Sequence, residues 1–315
     1  MKFSVIIPVG EKSDYIGECV NKILKQSFKD FEIIVLPDKK TNKLKEFKSK
    51  KIKIIETGKI NPAYKRDLGV KKSKGEIIAF IDDDAYPDKD WMKNALKSFK
   101  DKKIIALGGP GLNPKKDSLK QKIGGKILES KFASGTEDYR CKIKEKRKVD
   151  DYPTFNFFVR KKGFEKVGGF NYQYWRGEDT KLCLELIKHG DIIYDPEVVV
   201  YHHKRALFKP HLKQIWKCAL YRGFFARKFP KTSRRIAYFV PSLFLIGLIV
   251  GFILSFLHNL FLIVYIDVLI IYFGLLILET IKIKKGKILF MCGVFLTHLV
   301  YGYAFLTGFF KKNIK

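Results

Sequence analysis

Five cysteines in 315 residues (Cys19, Cys141, Cys183, Cys218 and Cys292) stand far apart, are odd in number and include no CxxC pair. Their scatter argues against a disulfide framework or a cysteine zinc site, and fits a reducing compartment. Acidic residues are scarce as well: 32 Asp and Glu stand against 62 Lys and Arg, a net charge of +30. A neutral cytosolic enzyme is not built this way. The excess predicts an anionic partner, whether nucleotide, nucleic acid, lipid phosphate or acidic membrane surface. Internal repeats and low-complexity tracts are lacking, and 46% hydrophobic residues exclude a disordered chain. The start also lacks the long apolar stretch of a signal peptide. Met1–Pro8 enters a strand-like run directly, so the amino-terminal part is expected on the cytoplasmic side.

Apolar residues concentrate at the other end. From Ile236 onward only Asp267, Glu279 and seven lysines are charged, so most of the positive charge lies earlier. Three apolar runs, 236–257, 260–278 and 288–310, each approach the ~20 residues that cross a bilayer core as a helix. One such run fits a buried core helix; three in succession predict a multi-pass membrane protein with a soluble head. Lys282, Lys284, Lys285 and Lys287 between the second and third runs place that loop on the head's side by the positive-inside rule, whereas Lys311 and Lys312 then fall outside. Asp267 inside a run is costly and is expected to face the helix bundle. The expected organisation is a head over 1–205, a basic amphipathic juxtamembrane segment over 206–235, and a membrane region over 236–315. In the juxtamembrane segment Trp216, Phe224 and Phe225 are expected to insert among headgroups with the cations outward.

In the head, FSVIIPV (Phe3–Val9) reads as a buried parallel strand, followed by a helix over 13–26 with Ser13 or Asp14 as its cap. Phe31–Leu36, Ile52–Glu56 and Glu76–Asp82 read as further strands, and Pro62–Lys72 as a helix. Strands alternating with helices predict an α/β, doubly wound, mostly parallel sheet, with ligands beyond the strands' carboxyl ends. Just there stands Asp82-Asp83-Asp84. Three adjacent carboxylates repel one another unless a cation sits among them. Asp82 and Asp84 project to one side of an extended chain, a geometry suited to a hard divalent ion carrying phosphates. An acidic turn before a helix capped by Asp88 or Asp90 is the alternative. Asp195–His203 reads as a strand emptying into two histidines. Lys142–Lys148 fits a solvated basic loop.

The series FSVIIPV, FEIIVLPD, KRDLG, GEIIAFIDDD, VGGFN and GED, in this order over residues 3–205, resembles family 2 glycosyltransferases. The resemblance implies the GT-A fold, inversion at the anomeric centre, and a nucleotide-sugar donor held with Mg2+ or Mn2+ by a DxD motif. Asp82 and Asp84 match that motif: Asp82, counted with Asp83, lies on the nucleotide-sugar side, and Asp84 and Asp82 are metal ligands. Pro8 and Val9 match the loop lining the nucleotide pocket. Asp38 matches an aspartate that contacts the base, while Pro37 replaces its usual acidic neighbour, which leaves the nucleotide open. Arg66 matches an arginine facing the nucleotide, apt for gripping a diphosphate. Gly177-Glu178-Asp179 resembles the motif whose aspartate, here Asp179, is the catalytic base. Glu178, Gly168, Gly169 and Trp175 fall on the acceptor or sugar side, with Asn156 a weaker candidate. His202 matches a further metal ligand, with an interfacial or packed histidine as its alternative.

The family's processive members carry QxxRW; Gln214-Ile215-Trp216-Lys217-Cys218 does not match, which disfavours a chain-extruding synthase. The resemblance therefore implies transfer of a sugar to a hydroxyl of a lipid-linked or cell-envelope glycan. Two alternatives stay open: a polyprenyl-phosphate sugar synthase, whose acceptor is already an anion and needs no base, and a non-catalytic membrane module that binds nucleotides, lipid phosphates or nucleic acid through its charge. Nucleic acid is not an expected partner, because the acidic triplet would repel its phosphates.

Overall fold

The structure, a computed structural model, describes residues 1–10, 13–39 and 49–314. In chain order the first elements are β1 (Phe3–Val9), α1 (Ile16–Leu24), β2 (Phe31–Pro37), β3 (Ile52–Ile54), α2 (Pro62–Lys72), β4 (Ile77–Ile81), β5 (Ala85–Pro87) and α3 (Trp91–Ser98). Next come β6 (Ile104–Gly108), β7 (Gly111–Leu112), α4 (Leu119–Glu129), α5 (Lys131–Ser134), β8 (Arg147–Val149), β9 (Asn156–Arg160), α6 (Lys161–Lys166) and α7 (Glu178–Leu186). The last are β10 (Asp191–Tyr194), β11 (Val200–His202), α8 (Lys209–Lys228), α9 (Pro230–Ser233), α10 (Ile236–Leu254), α11 (Asn259–Thr280) and α12 (Lys287–Phe310). They form two compact units. One comprises residues 1–114 and 142–203, the other residues 115–141 and 204–314.

The first unit is built on an eight-stranded sheet of order β3-β2-β1-β4-β9-β6-β10-β8. Four of its seven pairings are parallel; β9 runs antiparallel to β4 and β6, and β8 to β10. Every residue of β1, β2 and β4 is buried, which is why these strands read as unbroken β-branched runs rather than alternating ones. The strand order reverses at β1, flanked by β2 on one side and β4 on the other. A crevice therefore opens beyond Val9, Pro37 and Ile81, the carboxyl ends of these three strands. A second sheet, β5-β11-β7, pairs His202 with Ala85 and so carries the histidine to the residue after Asp84.

Several local expectations shift. Tyr15, not Ser13 or Asp14, is the N-cap of α1 and makes no side-chain cap bond. Asp90 is the N-cap of α3, but its carboxylate accepts from the Ser27 hydroxyl at 2.6 Å instead of capping the helix. Residues 195–203 are not one strand, because Asp195 opens a turn that separates β10 from β11. The end of the basic stretch before Asp150 forms the edge strand β8 rather than a loop.

In the second unit, α10, α11 and α12 are each long and apolar enough to cross a membrane, and α12 is the most buried. Glycine lets helices touch backbone to backbone here: a Cβ at Gly223 of α8 would collide with the Phe305 carbonyl of α12, and one at Gly308 with the Leu220 carbonyl. Ser242 of α10 donates to the Gly302 carbonyl of α12 at 3.0 Å. The close α8–α12 crossing corrects the expected headgroup insertion of Phe224 and Phe225, which are each 2% exposed inside the unit; Trp216 is exposed. Asp267 also departs from expectation. It lies on the exposed face of α11 among Val264, Ile266, Val268 and Ile270. Ile123 and Ile127 of α4 join Leu207, Tyr272, Leu276 and Phe290 in one apolar cluster.

Candidate functional site

Asp82, Asp83 and Asp84 leave the buried strand β4 at the crevice. One ligating atom each from Asp82, Asp84 and His202 lie within 4.8 Å of one another, and this is the metal-ligand group found among the described residues. His202 Nε2 stands 3.1 Å from Asp84 Oδ1, and the Phe155 ring stacks on the imidazole with centroids 4.9 Å apart. Its Nδ1 is buried with no hydrogen-bond partner among the described residues. Two carboxylates and an imidazole fit a divalent cation; the nitrogen suits Mn2+ better than Mg2+, which demands oxygen. His203 is packed instead. It stacks on Tyr15 at 3.8 Å, faces Glu18 at 3.1 Å, and its backbone N–H donates to the Asp84 carbonyl at 2.9 Å. Desolvation pushes the Asp83 carboxyl up to about 6, with Asp84 and Asp82 adding to the rise and a Ser13 hydrogen bond opposing it.

Arg66 joins this cluster to the second predicted motif. From α2, nearly buried, its Nη2 donates to Asp82 Oδ1 at 2.9 Å and its Nη1 to Glu178 Oε1 at 3.2 Å. The Glu178 Oε2 accepts from the backbone N–H of Arg176 at 2.6 Å. Arg176 has φ +88°, in the left-handed region, and is the one non-glycine residue there among the described residues. Such backbone strain next to a charged cluster is typical of functional sites. Asp179 follows in the first turn of α7; its Oδ1 accepts from the Thr180 N–H at 2.8 Å.

At the other side of the crevice, Pro8 and Val9 end β1 and Asp38 follows β2, all buried. Between them lies Lys65, a residue the motif reading passed over. It is 2% exposed, donates to the Val9 carbonyl at 2.6 Å and is ion-paired with Asp38. No sequence signal marked it: α2 leaves the apolar Tyr64 exposed and buries Lys65 and Arg66 instead. Asp67, from the same stretch, is a second omission. It accepts from the Phe170 N–H at 3.2 Å and from the Tyr172 hydroxyl, and burial raises its carboxyl above the usual range.

The remaining predicted residues divide by environment. Gly168 and Gly169 have φ +80° and +73° and turn the chain out of α6, their N–H groups returning to Glu165 and Phe164. A Cβ on Gly169 would stand 2.9 Å from Asp67, so this pair has a local structural cause. Trp175 is exposed, with the Arg176 guanidinium 4.6 Å over its ring. Asn156 is fully buried and not available to an acceptor. Its amide donates to the Gly109 and Val198 carbonyls at 2.6 and 2.7 Å and accepts from Trp91 Nε1 at 2.8 Å.

Comparison with known proteins bears on this arrangement. A relative from Methanococcus voltae, named dolichyl N-acetyl-alpha-D-glucosaminyl phosphate 3-beta-D-2,3-diacetamido-2,3-dideoxy-beta-D-glucuronosyltransferase, is 25% identical over 98% of both chains. The Staphylococcus aureus poly(ribitol-phosphate) beta-N-acetylglucosaminyltransferase TarS is 34% identical over 104 residues, which are 30% of this chain and 18% of TarS. Among solved structures, the mannosyltransferase PcManGT from Pyrobaculum calidifontis, in complex with GDP-Man and Mn2+, superimposes with a TM-score of 0.52 at 16% identity. The match covers 70% of this chain and 62% of that one, and shows the shared GT-A fold. The model of glycosyl transferase family 2 matches residues 4–168, more than half of the chain, and the chain belongs to that family.

Proposed function

We propose that this protein is a membrane-anchored, metal-dependent, inverting glycosyltransferase. It moves a sugar from a nucleotide-sugar donor to a hydroxyl of a lipid-linked or cell-envelope glycan. The observation carrying this reading is the Arg66 bridge, which ties the acidic triplet to Gly177-Glu178-Asp179 through one guanidinium. Asp82, Asp84 and His202 would hold Mn2+ or Mg2+, which when bound neutralises the departing diphosphate. Arg66 keeps Asp82 and Glu178 at a fixed separation and so couples donor side to acceptor side. The acceptor oxygen attacks the anomeric carbon, its proton passes to the Asp179 carboxylate, and the bond from that carbon to the diphosphate oxygen breaks. Attack opposite the leaving group inverts the centre.

A lipid-linked acceptor is supported by the Methanococcus voltae relative, whose name describes a dolichyl-phosphate-linked sugar and whose match extends through the apolar helices. We assign α10, α11 and α12 to the membrane and the first unit, residues 1–114 and 142–203, to the cytoplasmic side, on the lysines between the second and third runs. Asp179→Asn is expected to lower the transfer rate by about 100-fold or more while nucleotide-sugar binding is kept. Unimpaired transfer by that variant refutes the base. Absence of nucleotide release from any donor, with Mn2+ and membrane lipid supplied, refutes the activity.

A further inference from the structure

Lys65 is a buried cation for which the reaction above has no use. An ammonium carries three N–H donors. Two are used, on the Val9 carbonyl and on Asp38, and the third has no partner among the described residues. The two anchors are the ends of β1 and β2, the strands whose carboxyl ends border the crevice on the side away from Asp82. Asp38 and Lys65 are paired where these strands end, so one acid and one base face each other at this edge of the crevice. Burying a pair of charges is costly, and a merely structural staple is as well served by apolar side chains. A pair retained here sets a charged donor beside a charged acceptor, the complement of a nucleobase edge, where an N–H or amino group adjoins a carbonyl or ring nitrogen.

We propose that Lys65 is a specificity-determining residue for the donor: its ammonium, held by Val9 and Asp38, hydrogen-bonds the edge of the nucleotide's base while the Asp38 carboxylate accepts from that base. The assignment rests on the nucleotide-sugar reading above. It differs from a packing role in one respect. A staple affects every ligand of the crevice alike, whereas a base contact affects ligands that carry a base and leaves those that do not.

The test measures binding of UDP, GDP, ADP, CDP and inorganic pyrophosphate, each with Mn2+, to the full-length protein in detergent and to Lys65→Met, which keeps the aliphatic stem. The wild type is expected to bind its preferred nucleoside diphosphate well above pyrophosphate. Lys65→Met is expected to reduce that ratio by about tenfold or more, the weight of a charge-assisted hydrogen bond, with pyrophosphate affinity unchanged. Lys65→Arg, which retains a cation, is expected to recover part of the ratio. An unchanged ratio in Lys65→Met, or an equal loss for pyrophosphate and nucleotide, overturns the proposal and leaves the glycosyltransferase reading standing. A wild type that binds no nucleotide and no nucleotide sugar overturns both. Should Lys65→Met not fold, Lys65→Gln is read in the same way.

Discussion

Asn156 and His202 were both singled out from sequence, and their surroundings separate them. The Asn156 amide is held on three sides, by Gly109, Val198 and Trp91, whereas His202 keeps a buried ring nitrogen without a partner among the described residues and gathers with Asp82 and Asp84. Asn156→Leu strands the Trp91 indole N–H and the Val198 carbonyl in the core, each worth about 1–3 kcal/mol, while the Gly109 carbonyl keeps the Tyr152 hydroxyl at 2.7 Å. Thermal unfolding is expected to shift down accordingly, while the folded fraction keeps its donor and acceptor KM. A raised acceptor KM in that variant contradicts the structural assignment. Motifs made the acidic triplet and Gly177-Glu178-Asp179 legible, because mutually repelling carboxylates beyond a strand are conspicuous in one dimension. Lys65 was not legible: nothing in a basic, lysine-rich sequence marks which lysine is buried.

Among the elements, the strands of the first unit were the most legible. β1, β2 and β4 are buried on both faces, so their composition alone declares them, and α2 falls on the residues expected of it. Helix starts were less so: α1 and α3 begin without the side-chain caps their Ser and Asp residues promised, the Asp90 carboxylate being taken by Ser27. The apolar runs correspond to α10, α11 and α12, because length and hydropathy are local properties. The packing of α8 on α12 is not local. It depends on Gly223 and Gly308 meeting the opposite backbone, and it buries Phe224 and Phe225, which the amphipathic pattern assigned to headgroups. Gly223→Val must push the two helices apart and is expected to cost about 3 kcal/mol or more, read as a fall in the melting temperature of the detergent-solubilised protein. A melting temperature equal to wild type contradicts backbone contact at this crossing.

The whole molecule carries a charge of +30, so its acids are largely in cationic company, and Asp195 illustrates what this does to stability. Burial alone would raise its carboxyl, but hydrogen bonds from Lys146 at 2.8 Å and Ser98 at 2.5 Å outweigh burial and hold it below the usual range. A carboxylate with a depressed folded pKa contributes stability that is present above its unfolded value, about 3.9, and is lost as pH falls through the folded value. In Lys146→Met that contribution shrinks. The melting temperature at pH 7 is expected to drop, and its further decline on acidification below pH 4 to become shallower than in the wild type. Parallel curves for the two proteins over pH 3–7 contradict the assignment.

Family membership, the strands β1 to β4, the acidic triplet and three membrane-length helices follow from the sequence by itself, since each is written in neighbouring residues through burial pattern, repulsion or length. The tertiary structure alone decided that Arg66 touches both Asp82 and Glu178, that Lys65 lies buried against Asp38, and that residues 115–141 cluster with residues 204–314. These contacts join residues tens to hundreds of positions apart, and side chains of the same type along the chain compete equally for them until folding selects one.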